Sequence, residues 1–148
     1  MKSQTVRDLL QLLVNYHQSR HDIYANLISG AKDDRTAMLL KKLTDLEAQT
    51  LQVVHEELES RDPANPTYLG NTPPVKLDPL PMPACDLSSG ASFEETLECV
   101  WRADHALPDV IDRLANASSA DSVQKMAERL GDLEKSKERE IANFTRMD

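Results

Sequence analysis

Seven of the eight prolines in this 148-residue chain fall between Asp62 and Ala91, in a stretch with no helical periodicity. On either side the apolar residues recur at spacings of three and four, the pattern of amphipathic helices. Before the proline-rich stretch, Val6, Leu9, Leu10, Leu13, Tyr16, Ile23, Tyr24 and Leu27 mark a helix over about 3–29, which Gly30 ends. Leu39, Leu43, Leu46, Leu51, Val54 and Leu58 mark a second over about 34–61, with Asp33 or Asp34 as its N-cap. Beyond the stretch, Ser92 and Glu95 form a capping box for a third helix over about 92–115, with Phe93, Leu97, Val100, Trp101, Leu107, Ile111 and Leu114 inward. Val123, Met126, Leu130, Leu133, Ile141 and Phe144 mark a fourth over about 121–146.

Short turns make helices 1 and 2, and helices 3 and 4, antiparallel hairpins. A connection over 62–91 is far longer than the roughly 2–8 residues usual between bundle helices. It suits a crossover that retraces a helix of roughly 40 Å, so helix 3 should run parallel to helix 2. The expectation is one all-α domain over 1–148, a four-helix bundle with a single long Pro-rich crossover between helices 2 and 3. The apolar residues of the crossover around Val75 to Met82 should pack on the bundle or in a dimer seam. Pro108 removes the amide that would bond the carbonyl of Asp104, and should kink helix 3 there.

Composition narrows the function. A net charge of −8 would repel a phosphate backbone, so nucleic acid is not an expected partner. No apolar run approaches a membrane span, and the start has no signal-peptide core, so a soluble cytoplasmic protein is the expectation. Cys85 and Cys99 have no metal or redox spacing and read as free thiols. Gly-rich phosphate loops, GxSxG and zinc-finger spacings are absent.

One polar layer interrupts the stripes. His17 and Glu47 each stand 15 residues from Lys32, and Asp104 and Glu134 each stand 15 from Ser119, so each pair should lie at one height across its hairpin. With this layer the chain resembles the ferritin-like and rubrerythrin-like proteins, which carry one Glu on helices 1 and 3 and a Glu-x-x-His on helices 2 and 4 around two metal ions. The resemblance places His17 at the helix 1 position, with Tyr24 two turns on, and Asp104 at the helix 3 position. It places Glu47 with Thr50 on helix 2 and Glu134 with Lys137 on helix 4. Thr50 and Lys137 thus replace both family histidines.

Two arrangements follow from those departures. In one, Lys137 and Arg20 pair with the carboxylates and the layer is a salt-bridged relic, without cofactor, in a structural or protein-interaction protein rather than an enzyme. In the other, His17, Glu47, Asp104 and Glu134 hold a single iron, manganese or zinc ion, as in a metal-binding protein or a rubrerythrin-type oxidoreductase. Helix rotation that turns the layer to solvent would defeat both. His21, His55 and His105 have weaker claims as ligands. The partner is expected to be another protein or a second copy in a homodimer.

Overall fold

A computed structural model describes residues 4–61, 67–69, 77 and 90–146. The described residues form helices α1 (Val6–Leu27), α2 (Asp34–Glu59), α3 (Phe93–Asp104), α4 (Leu107–Asn116) and α5 (Asp121–Arg146), with a 3-10 turn over Ile28–Gly30. In bundle terms these are four rods, because α3 and α4 are two halves of the third. None of the helices is long and apolar enough to cross a membrane among the described residues. Most of the expected crossover, including all of Val75 to Met82 except Leu77, lies outside the described residues.

The helix ends follow from local chemistry. Thr5 and Asp8 form a reciprocal capping box that starts α1 at Val6, three residues after the expected start at Ser3. Asp33 caps α2 by accepting from the Thr36 amide at 2.8 Å, and the Ser92–Glu95 box opens α3. The third rod breaks rather than bends: His105 and Ala106 leave the helix, and α4 restarts at Leu107 with Pro108 in its first turn, where a missing amide costs nothing.

Side-chain contacts set the helix directions. At its N-terminal end α2 meets the N-terminal end of α3, where Arg35 lies 3.2 Å from Glu94 and stacks over the Phe93 ring. About three turns further on, Lys137 reaches both Glu47 of α2 and Asp104 of α3, so those two helices run parallel. Along α2 the partners on α5 descend in number as α2 ascends: Lys42 with Glu140, Glu47 with Lys137, Glu57 with Arg129. That pair is antiparallel. The entry to the crossover straps the start of α1, since Val6 donates to the Thr67 carbonyl and Leu69 to that of Gln4, at 2.8 and 2.9 Å. Leu77 then packs against the core at that end.

The apolar interior is in two parts. One joins Leu9, Leu10 and Leu13 to Val54, Leu107, Leu114, Met126 and Leu130; the other joins Tyr24, Leu39, Leu43, Phe93, Val100 and Ile141. Leucines in either are nearly free of solvent, so a truncation such as Leu43→Ala removes about 2–5 kcal/mol. Trp101, expected inward, is 38% exposed. It follows Val100 by one residue, about 100° round the helix, and Val100, Ala103 and Leu107 fill the inner face.

Candidate functional site

Between the two apolar parts lies a layer of polar side chains, all buried except the partly exposed Glu134. His17 and Arg20 enter it from α1, Glu47 and Thr50 from α2, Asp104 from the end of α3, and Lys137 from α5; each is no more than 6% exposed. The equal hairpin spacing of His17 and Glu47 is realised as a 2.6 Å contact from Nδ1 to Oε2. Asp104 and Glu134 find their nearest recorded partners on α1 instead. Arg20 donates to Asp104 Oδ1, and Glu134 Oε1 lies 4.0 Å from His17 Nε2.

Glu47 is the hub. Its Oε1 accepts from Lys137 Nζ at 2.7 Å and lies 3.5 Å from Arg20 Nε, while Oε2 faces His17. Burial would push the Glu47 carboxyl up, but Arg20, the His17 hydrogen bond and Lys137 reverse that and hold it well below the usual carboxylate range. Burial lowers His17, and the two nearby cations add to this, against the pull of Glu47. A neutral imidazole that donates from Nδ1 to Glu47 satisfies this environment and leaves Nε2 as an acceptor toward Glu134. Glu134 is pushed up to about 7, by burial first and by Asp104 and Glu47 after it, against Lys137.

Two tyrosines complete the network, and sequence reading placed them only on the apolar stripe or in a family comparison. Arg20 Nη1 donates to Tyr16 Oη at 2.5 Å and Nη2 to Tyr24 Oη at 2.6 Å. Tyr16 in turn donates to the Ala103 carbonyl at 3.0 Å, beside the break in the third rod. Burial raises both phenols against the pull of Arg20, so they stay protonated donors. The signal was the spacing: Tyr16, Arg20 and Tyr24 stand four apart, one above another on a single helix face.

The remaining candidates lie elsewhere. His21 contacts Asp22 and His55 contacts Glu59 near the surface, and His105 is exposed in the turn after α3. Cys99, expected as a free thiol, is disulfide-bonded; the chain's other cysteine is Cys85, outside the described residues. Cys99 is buried with Ala103 against Ile23, Leu27 and Ala91. Such a cross-link persists in oxidising compartments.

The donor set does not suit a dinuclear centre. Both Glu47 oxygens are engaged by protein groups, the Thr50 hydroxyl donates to the Leu46 carbonyl at 2.9 Å, and two fixed cations stand among the carboxylates. Among the described residues no three His, Cys, Asp or Glu side chains converge as a ligand set. Within the layer, Asp104 Oδ2 is buried without a hydrogen-bond partner. In comparisons with family models, curated proteins and solved structures, nothing matches this chain.

Proposed function

We propose that this protein is a ferritin-like bundle whose metal site has been replaced by a salt-bridged network, and that it serves a structural or interaction role rather than redox catalysis. The observation that carries this is Lys137, with its ammonium 2.7 Å from Glu47 and 3.7 Å from Asp104, two residues at family ligand positions. An ammonium there supplies the positive charge that a metal ion would supply, and it cannot ligate one. Parallel α2 and α3, and a mid-bundle layer fed by all four rods, support the ferritin-like reading.

Metal analysis tests it. Protein purified without chelator, after growth with iron, manganese and zinc, is expected to hold no stoichiometric metal; stoichiometric iron or manganese would overturn the reading. Thr50→His with Lys137→His restores both Glu-x-x-His motifs and removes the blocking cation. That variant should bind divalent metal more tightly than the parent.

A further inference from the structure

A cleft of about 170 Å³ lies beside the turn that joins α1 to α2, at the end of the bundle where α2 and α3 both start. Thr36 and Leu40 of α2 and Thr96 of α3, all buried, form its floor, and half-buried Leu27, Ala31 and Ala91 form its sides. Two glycines leave it open. A Cβ added at Gly30 or Gly90 would meet nothing within 4 Å, and Gly90, at φ 83°, holds a conformation that side chains rarely adopt.

The floor carries an unmet polar atom. Thr36 is 1% exposed, and its Oγ1 has no hydrogen-bond partner. The hydroxyls of Thr44, Thr50 and Thr96 each donate to the carbonyl four residues back, at 2.7, 2.9 and 2.8 Å. Thr36 is the third residue of α2, so the carbonyl four back belongs to Lys32, outside the helix. The neighbouring Asp33 carboxylate accepts from the Thr36 amide at 2.8 Å. A hydroxyl proton turned toward that carboxylate still leaves both oxygen lone pairs without a donor, and a buried acceptor in that state is costly.

We infer that this cleft binds a small uncharged molecule, with a hydrogen-bond donor given to Thr36 Oγ1 and a short apolar body lying against Leu27, Leu40 and Ala91. The lining selects that chemistry. None of the lining residues is ionisable, so a cation finds no carboxylate there, and Asp33, Asp34, Glu94 and Glu95 around the two helix starts repel an anion. Water would meet Thr36 but lie against aliphatic side chains, where its exchange for carbon is favourable. Size sets the limit: a cavity of about 150 Å³ takes benzene, so this one holds a ring with one polar substituent.

The site goes beyond the role proposed above, and its failure is separable, because Thr36 stands about three turns along α2 from Glu47 and the polar layer. Phenol is the probe, and toluene, with a methyl group in place of the hydroxyl, is its control. In amide NMR titrations of the full chain, phenol should shift Gly30, Thr36, Leu40, Gly90 and Thr96 saturably, with half-saturation at about 1 mM for a molecule of this size. Toluene should bind at least about tenfold more weakly. Thr36→Val keeps the shape and removes the hydroxyl; it should lower phenol affinity about tenfold and leave toluene affinity no weaker, with helical circular dichroism unchanged. Shifts that stay linear up to the solubility limit of phenol mean that the cleft holds water only, and overturn the proposal. Equal binding of phenol and toluene, or of phenol by parent and variant, overturns it too, because the hydroxyl then takes no part. The comparison of the two probes needs the parent alone, so it stands even where the variant does not fold.

Discussion

Glu134 and His17 face each other with opposed proton linkage. Folded Glu134 keeps its proton up to about 7 against an ordinary value of 4.5, so the folded chain binds the extra proton between those values. Stability from this group is therefore lost as pH rises through that window, by about 3 kcal/mol in all. His17 is lowered from 6.5, so as pH falls below 6.5 the unfolded chain takes up a proton that the folded chain refuses. Its stability is lost in the other direction. The two slopes oppose each other as pH falls below 6.5 and flatten the parent's profile there. Glu134→Gln should remove one of them: urea titrations should show the variant more stable than the parent by up to about 3 kcal/mol above pH 7 and little changed near pH 4. Its stability should then rise with pH up to about 6.5, through His17 alone. A variant that follows the parent's profile would remove Glu134 from the network's proton balance.

At the scale of the element, the third rod carries the layer because it is broken. Asp104 is the last residue of α3, and Pro108 withholds the amide that would have bonded its carbonyl. At that break the Tyr16 hydroxyl takes up the Ala103 carbonyl, so a helix end that would otherwise be unsatisfied is closed from α1. Pro108→Ala returns the missing donor. Hydrogen exchange should then show a newly protected amide at position 108 and slower exchange at 105 and 106, as α3 and α4 join. Absence of that protection would mean that packing of Leu107 and Val110 into the core, rather than the proline, fixes the break.

The whole molecule has a polar floor between two apolar storeys. Such a network is costly to break and cheap to replace, because the cost lies in leaving a buried charge alone. Lys137→Ala strips Glu47 of its closest cation and should destabilise the chain by about 3–5 kcal/mol in denaturant unfolding. Replacing the network entirely is the contrasting experiment: His17→Leu, Arg20→Met, Glu47→Met, Asp104→Leu, Glu134→Leu and Lys137→Met, with Tyr24→Phe, remove its charges together, while Tyr16 is kept to donate to the Ala103 carbonyl. That variant should be at least as stable as the parent. If it fails to fold while each residue is apolar and of similar volume, the layer specifies the register of the helices, and its role is more than charge balance.

The sequence by itself determined the helices, their caps and the position of the polar layer. Periodicity marks which face of a helix is buried, Thr5, Asp33 and Ser92 satisfy end amides locally, and hairpin spacing sets His17 at the height of Glu47; each is a short-range constraint. Tertiary structure alone decided the pairing inside the layer. Lys137 is drawn to Glu47 and Arg20 to Asp104 across helices that are distant in sequence, and such choices depend on burial, where an unpaired charge costs most. The same holds for Tyr16, apolar in pattern and polar in use, and for Cys99, whose bond no spacing in the sequence indicates.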